Sequence, residues 1–436
     1  MLPRTLLPLA TLPLLAQAPE ALTLPEALRS AWTRQSGLQA GQALADRARL
    51  DADAADALRL PTLQAQAGWM RTDEPMMAFG LKLNQARIAA PDFNPASLNH
   101  PEAVSGLGGS LTLSQPLYAG GRISAARQAT RALAQAESAA QAHRKQQVAL
   151  AVVQAYFGTQ AAAAGVAYAE DTLKTAQGTE AFVAARVEQG LMLKADLARV
   201  KAWRAQAEAG LAEARRQEQS ARSGLALLMG APAPAQLATA LDAPGAGAAA
   251  PSQAPGTRAD LRAAALQTQA AKAYAQAVGG SLKPEVGLSL STGAARETFG
   301  ATGGSWTTAS LGAKWTFAWG DTRKTQAARA GARAAELAQA WQQAQAARET
   351  TEAEGAVTAA EAKVKAATEG LAAAEEAREL RQARHREGLL PLTELLDAES
   401  ALQGARAFRL ATLLELRTAH AQRALALGLP IEGVTE

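Results

Sequence analysis

The sequence predicts a mainly α-helical protein with a small β part and two structural repeats, and three observations carry this prediction. The first is composition: of 436 residues, 48% are hydrophobic but only 4% are aromatic, so alanine supplies most of the apolar count. Alanine is the strongest helix former, and alanine-rich stretches carrying Gln, Glu, Arg and Lys favour long, closely packed helices. The second is a pair of long stretches interrupted only by isolated glycines. The third is a set of four short stretches in which apolar and polar residues alternate.

The chain contains the same pattern twice. Residues Arg186–Leu197 match Arg384–Leu395, and the Gly-Leu pairs within them are offset by 198 positions (388 − 190). The same offset aligns Gly230-Ala-Pro with Gly428-Leu-Pro without a gap. Repeats of this kind indicate that one structural unit occurs twice. Each copy is predicted to run helix, strand, loop, strand, very long helix, glycine turn and helix.

The repeats and their flanks predict five segments. The N-terminal residues are typical of a signal peptide, with Arg4 before an apolar stretch and an A-x-A-like cleavage site at 16–18; the alternative is a disordered tail. The predicted segments are a signal peptide at 1–18, the first repeat at 19–230, a linker rich in Ala, Pro and Gly at 231–257, the second repeat at 258–430 and a C-terminal tail at 431–436. The predicted strands span about 61–72, 108–118, 284–292 and 306–319, with helix hairpins near 190 and 388.

Each predicted strand has one apolar and one polar face. In the first strand, Leu63, Ala65 and Ala67 alternate with Gln64 and Gln66. The polar faces consist of Ser, Thr, Gln and Gly, as expected for a water-filled lumen. Aromatic residues fall toward strand ends, where aromatic side chains at a membrane interface belong: Trp69, Tyr118, Trp315 and Trp319. The strands alone leave two interpretations open, a membrane sheet and a soluble antiparallel sheet packed on helices.

If the strands lie in a membrane, several chains must share one barrel. The smallest outer-membrane barrels need about eight strands, and this chain supplies four. An open sheet edge cannot face lipid, because its backbone N–H and C=O groups find no partner there. No run of about 18 apolar residues follows the N-terminal segment, so no transmembrane helix is predicted. The pattern therefore predicts an oligomer whose membrane part is β-structure.

The two long helical stretches run from Arg122 to about Gln189 and from Asp321 to Glu387. Each would be about 100 Å long if continuous, at about 1.5 Å per residue, which is typical of a coiled-coil stalk. Each ends at a Gly-Leu pair that predicts a tight helix hairpin, because glycine adopts the left-handed conformation found at helix ends. These pairs are Gly190 with Leu191 and Gly388 with Leu389. The leucines either lie exposed at the tip of the stalk or pack against the neighbouring hairpin.

Patterns for catalysis, metal binding and nucleic-acid binding are missing from the sequence. The net charge of +4 is small for this length and its basic residues are dispersed among acidic ones, which argues against nucleic acid as a partner. The absence of cysteine removes disulfides, thiolate metal sites and thiol nucleophiles. The four histidines, His100, His143, His385 and His420, have no metal-ligand spacing, and no acid–base pair can be identified. We therefore expect no enzyme activity, no cofactor and no metal.

Several short motifs recur in order in both halves. P-L-Y-A-G-G-R and T-F-A-W-G-D-T-R stand at the two strand-to-helix junctions and contain Gly120, Gly121 and Gly320. Both hairpins read G-L-x-x-x-[AT]-[DE]-L, and T-R-A-D-L-R-A-A begins at Thr257. The loop motifs F-G-L-K-L-N-Q and D-F-N-P-A-S-L-N-H-P lie between the first two strands. With this ordered set covering nearly all of the chain, the sequence resembles the TolC family of outer-membrane efflux proteins.

The resemblance implies a homotrimer whose twelve strands, four from each chain, form one transmembrane β-barrel in contact with outer-membrane lipid. Below it, a helical coiled-coil barrel forms a tunnel through the periplasm, and the tip docks a periplasmic adaptor and, through it, an inner-membrane transporter. The protein would then be the passive exit duct of a tripartite efflux system, located in the outer membrane and extending into the periplasm. The alternatives are a duct for type I protein secretion and, in another class, a periplasmic coiled-coil scaffold.

The resemblance also implies which residues narrow the tunnel and which dock the adaptor. Family members carry rings of acidic side chains just after the second hairpin, and the matching residues are Glu394 and Asp397. They are three positions apart on one predicted helix, so both can face the same side, and carboxylate rings favour cations. Their equivalents in the first repeat, Asp196 and Arg199, are expected in a salt-bridge network that helps to hold the closed state. The alternative for all four is a solvated helix face. The two Gly-Leu hairpins are the expected docking surface.

Overall fold

The computed structural model describes residues 21–234, 236–242 and 258–431. The predicted signal peptide lies outside the described residues, as do most of the linker and all but the first residue of the C-terminal tail. Within the described part, helices dominate and the named strands form one four-stranded sheet. The predicted fold class is confirmed.

The elements follow the predicted order in each half. In chain order they are α1 (Leu24–Arg34), α2 (Ser36–Ala57), β1 (Thr62–Thr72), α3 (Pro75–Asn84), α4 (Pro95–Asn99), β2 (Val104–Ala119), α5 (Arg122–Glu188), α6 (Lys194–Met229), α7 (Ala259–Gly279), β3 (Glu285–Arg296), β4 (Gly303–Lys314), α8 (Trp319–Arg386) and α9 (Leu392–Leu427). Short 3-10 turns occupy Ala90–Phe93 and Gly280–Leu282. Helices α5 and α8 are continuous over 67 and 68 residues, as the low frequency of helix breakers predicted.

Left-handed glycines end the four long helices in one common way. They are Gly190 (φ 68°), Gly230 (φ 64°), Gly388 (φ 78°) and Gly428 (φ 69°). At each, the glycine N–H donates to the carbonyl three residues earlier and the next N–H donates to the carbonyl five residues earlier; Leu191 N lies 2.8 Å from Arg186 O and Leu389 N lies 2.9 Å from Arg384 O. Helices α6 and α9 also have the same length, 36 residues. The sequence repeat is therefore reproduced in the helix lengths and in the hydrogen bonds that end the helices.

Two compact units divide the chain, and each takes segments from both repeats. Unit 1 comprises Met1–Ala43, Ala140–Asp260 and Gln343–Glu436, and unit 2 comprises Leu44–Ala139 and Leu261–Gln342. The predicted repeats are therefore repeats of sequence and secondary structure, and each compact unit combines parts of both.

The main hydrophobic core belongs to unit 1 and includes Tyr156 of α5. Its ring is fully buried against Phe157, with ring centroids 5.4 Å apart, in a cluster that also contains Leu24 of α1. The hydroxyl of Tyr156 donates to Leu22 O at 2.7 Å and accepts from Thr239 N at 2.9 Å. The side chain of Tyr156 therefore joins the segment before α1 to the segment after α6. Its buried hydroxyl both donates and accepts a hydrogen bond, so burying it leaves no polar group unpaired.

One helix of the described residues, α5, is long and apolar enough to cross a membrane by length and composition, whereas the sequence predicted none. Alanine and valine raise the average hydropathy of α5 although polar residues interrupt every run. The core helix of a soluble protein passes the same test, so the finding is weak evidence for a membrane span. Helix α5 supplies Val152, Val153 and Tyr156 to the core of unit 1, which explains why it is apolar there.

Strand β4 ends at Lys314, five residues before the end predicted at 319. Beyond it the chain leaves the ladder, and the indole Nε1 of Trp315 donates to Leu282 O at 3.2 Å. Strands β2 and β3 are longer than predicted, reaching back to Val104 and on to Arg296. Alternation alone missed these ends because glycines and alanines dominate them.

Candidate functional site

The sheet in unit 2 presents one polar face. Its strands are ordered β1-β2-β3-β4 and all neighbours are antiparallel. The hydroxyls of Thr112 on β2 and Ser291 on β3 lie 3.0 Å apart, which shows that they share a face. Because successive residues of a strand point to opposite sides, the register places these residues on the same face: Gln64, Gln66, Ser110, Ser114, Ser289, Thr308 and Ser310. Charged residues on this face, Glu285 and Lys314, pair in register at one end.

The opposite face of the sheet is apolar and uncovered. Leu63 and Trp69 of β1 are each 65% exposed and Leu311 of β4 is 70% exposed. Four more leucines on this face are also exposed: Leu111, Leu113, Leu288 and Leu290. An exposed apolar surface spread over four strands marks contact with a membrane or another protein. The alternation predicted from the sequence is therefore present, and among the residues that the structure describes no helix covers its apolar side.

The two outer strands of the sheet have unpaired edges. Among the described residues, β1 pairs only with β2 and β4 pairs only with β3. Both edges present backbone N–H and C=O groups without a ladder partner, which an isolated sheet in lipid cannot tolerate. The physical argument for several chains in one barrel therefore applies to the observed topology.

The predicted interface aromatics lie toward both ends of the sheet. We call the end joined to α5 and α8 the helix end, and the end carrying the β1–β2 and β3–β4 connections the loop end. Tyr118, Trp315 and Trp319 lie at the helix end and are 48%, 66% and 82% exposed. Phe317 joins them, with its ring centroid 5.2 Å from that of Trp319. Trp69 lies near the loop end, opposite Leu107.

The predicted junction glycines take different conformations. Gly120 and Gly121 have φ values of 62° and 83° in the turn between β2 and α5. A side chain at Gly120 would overlap the carbonyl oxygen of Gly280, so only glycine fits this close approach. Gly320 instead lies in the first turn of α8, with open space around it.

Both predicted hairpins are formed, and their leucines are exposed. The exposed fraction is 62% for Leu191 and 73% for Leu389. Beneath the hairpins, Val183, Val200 and Leu392 form a separate buried cluster. The leucines thus lie outside that core in the single chain, where they are available to a second protein, and their docking role stays a prediction.

His385 supports the second hairpin in a way that the sequence did not reveal. It is 6% exposed, its Nδ1 lies 2.9 Å from Leu390 O, and its backbone carbonyl accepts from Gly388 N. Its ring meets the ring of Phe182 edge-on, with centroids 5.9 Å apart. The contact bridges α5 and α8 of unit 1, which no local spacing of histidines could have indicated.

The predicted constriction residues lie at the start of α9 and are exposed. Glu394 is in the first turn of the helix and Asp397 follows one turn later. Within the described residues, neither carboxylate forms an ion pair, while Arg381 donates to the backbone oxygen of Glu394 at 3.4 Å. Asp196 and Arg199 of α6 also form no ion pair within the described chain. The proposed tip network therefore requires contacts between chains and stays a prediction.

An ion pair links the arms of each hairpin, and its polarity is reversed between the repeats. In the first hairpin, Arg204 Nε of α6 lies 2.7 Å from Glu180 of α5. In the second, Arg378 Nε of α8 lies 2.7 Å from Glu399 of α9. Glu180 and Arg378 are equivalent at the repeat offset of 198. The second pair is the more buried, because Glu399 is 4% exposed and Arg378 also donates to Thr175 Oγ1 at 3.4 Å.

Reversing one charge of this buried pair is expected to destabilise the second hairpin. Arg378→Glu would place two carboxylates together, and breaking a buried pair costs about 3 kcal/mol or more. The double variant Arg378→Glu/Glu399→Arg restores the pair in the polarity of the first repeat and should recover most of the loss. Thermal unfolding in detergent measures both, with exposed Arg384→Glu as the control. Equal destabilisation by the single and double variants would show that packing, not charge pairing, matters here.

The structure of this chain is similar to the solved structures of several outer membrane proteins. The outer membrane protein VceC of Vibrio cholerae superposes with a TM-score of 0.79 at 19% identity, covering 94% of this chain and 96% of that chain. The CmeC outer membrane channel of Campylobacter jejuni gives 0.79 at 15% identity, covering 95% and 86%. The open-state MtrE channel of Neisseria gonorrhoeae gives 0.77 at 21% identity, covering 95% and 90%. No curated protein matches the chain by sequence.

These likenesses define the fold as that of an outer-membrane channel subunit. The family model described as outer membrane efflux protein matches residues 27–231 and 250–429. The chain therefore belongs to the outer membrane efflux protein family, whose members are channels of the outer membrane that reach into the periplasm. The resemblance seen in the sequence is confirmed.

Proposed function

We propose that three copies of this chain form a passive exit duct of a tripartite efflux system, fed by an inner-membrane pump through a periplasmic adaptor. The observation that carries the proposal is the sheet, which has a bare apolar face, a polar face and two unpaired edges. In a trimer, β4 of each copy would pair with β1 of the next, and twelve strands would close the barrel. The apolar face then meets lipid and the polar face lines the lumen.

The chemistry of the polar face suits conduction and not catalysis. Its strand positions carry mainly Ser, Thr, Gln and Gly, with charges at the helix end. A neutral, hydrated wall offers no strong binding site, so solutes can move along it without being held. Energy and choice of cargo would then come from the pump, and we infer that the protein is not an enzyme.

The exposed constriction and hairpin residues support the remaining parts of the proposal. Glu394 and Asp397 are free to form carboxylate rings when three copies meet. Leu191 and Leu389 are free to enter apolar pockets of an adaptor. The structure of one chain is consistent with both roles, and each has its own test below.

The protein is expected to fractionate with outer membranes, to run as a trimer in mild detergent and to form ion-conducting pores in planar bilayers. The pore test is decisive, because a periplasmic scaffold would bind no lipid and conduct no current. A variant with Leu311→Lys and Leu290→Lys serves as the matched negative control, since charges on the lipid face oppose insertion. A soluble monomer without channel activity would overturn the proposal.

A further inference from the structure

The connection between β1 and β2 contains a folded segment, residues 75–99, which we call the cap. The sequence left its role open. The cap contains α3 and α4, joined by a 3-10 turn. Phe79 of α3 packs edge-on against Phe93, with ring centroids 5.9 Å apart. Lys82 pairs with Asp92 at 2.9 Å, and Asp92 also accepts from Ala89 N at 2.8 Å. These bonds from Lys82 and Ala89 hold the pKa of Asp92 below its ordinary value, so the cap has internal structure of its own.

The cap lies on the polar face of the sheet. A Cβ added to Gly106 of β2 would lie 2.6 Å from Leu81 Cδ1 and 2.7 Å from Gln85 Nε2. A Cβ added to Gly304 of β4 would overlap Asn84 O. Gly106 has the same parity as Thr112, and Gly304 pairs with Ala295, which shares the parity of Ser291. Both glycines therefore make room for α3 on the face that carries the Ser and Thr hydroxyls.

Gln85 fastens the cap to two strands at the loop end. It is 1% exposed, and its Nε2 donates to Ser105 O at 2.8 Å and to Arg296 O at 3.3 Å. Its Oε1 accepts from Arg87 Nη1 at 3.1 Å, which leaves the buried amide fully paired. Arg87 in turn pairs with Glu297, in the β3–β4 connection, at 2.9 Å. The attachment therefore uses backbone oxygens and a charge pair, both independent of lipid.

We propose that the cap, residues 75–99, acts as a lid: it narrows the outer mouth of the channel and sets an upper size for the solutes that cross there. This rests on the proposed function, in which the polar face lines the lumen. Since α5 and α8 would extend into the periplasm from the helix end, the loop end would lie outside the cell. A structured segment fixed across that face reduces the aperture, and three copies would reduce it from three sides. The mouth would then be a second constriction, separate from the acidic residues of α9.

Two independent substitutions are expected to displace the lid and to raise single-channel conductance on the order of twofold, because the lid and the acidic constriction on α9 would resist ion flow in series. Gly106→Val puts a side chain where Leu81 and Gln85 now lie. Gly108→Val is its matched control, because it lies on the same face and a Cβ there meets only Ala294 O at 3.8 Å. Arg87→Glu repels Glu297 without touching a strand, and Glu74→Arg, an exposed charge reversal in the same connection, is its control.

Size exclusion provides the second measurement. Neutral polyethylene glycols of graded size, added to the outer side, should enter the Gly106→Val and Arg87→Glu pores at larger radii than wild type. If wild type forms pores while both variants match their controls in conductance and in exclusion radius, the lid is rejected and the duct stands. If wild type forms no pores, the proposed function itself fails. Migration as a trimer in mild detergent establishes that each variant is assembled.

Discussion

Replacing Glu394 and Asp397 together by alanine is expected to raise single-channel conductance on the order of twofold and to abolish cation preference. Both carboxylates are exposed at the start of α9, and neither has a charged partner within the described chain. Three copies would place six carboxylates around one axis, where they attract cations and, by their size, obstruct the path. Removing them takes away both effects at once.

An amide variant separates charge from size. Glu394→Gln/Asp397→Asn keeps the side-chain volumes and removes the charges, so cation preference should fall while conductance stays near that of wild type. Ion preference is measured from reversal potentials in a salt gradient. Glu375→Ala/Glu376→Ala, two exposed acids on α8, is the control for the loss of any two carboxylates. Unchanged selectivity in both α9 variants would remove these residues from the constriction and favour a solvated helix face.

The local features of this fold were predictable because each depends on neighbours in sequence. Left-handed glycines predicted the hairpins at 190 and 388, since few other residues adopt that conformation. Alternation predicted the two faces of the sheet, since a strand turns each successive side chain to the other side. The strand ends were less accurate, because small residues at Gly106 and Ala295 carry little polarity signal.

The contacts that sequence patterns missed join distant parts of the chain. Gln85 and Arg296 are separated by 211 positions, and Gly304, one of the two glycines that make room for α3, lies in the other repeat. Nothing local distinguishes Gln85 from a surface glutamine, and His385 likewise gave no sign of its burial. The ion pair was hidden because the repeats share only one of its positions: Glu180 corresponds to Arg378, whereas Arg204 corresponds to Leu402. The contacts of these residues could be identified only once the three-dimensional structure was known.

Replacing Leu389 by Asp is expected to abolish efflux in cells while leaving trimers and bilayer pores intact. The side chain is 73% exposed, so the substitution should change folding stability by less than about 0.5 kcal/mol. The turn itself persists, because its hydrogen bonds come from the backbone of Leu389 and Gly388. A buried aspartate in an apolar adaptor pocket would cost about 2 kcal/mol or more at each tip, roughly 30-fold in affinity per site.

A substitution at a neighbouring residue distinguishes the loss of an adaptor site from a general effect of changing the second hairpin. Glu387→Ala alters an exposed polar side chain two residues away and should leave efflux unchanged. Complementation of a strain lacking this protein measures efflux, and bilayer conductance of the same variants measures the pore. Normal efflux by Leu389→Asp would reject the docking role, whereas loss of both efflux and conductance would mean that the residue supports the channel itself. The expected combination, lost efflux with a normal pore, requires a partner that binds this exposed tip.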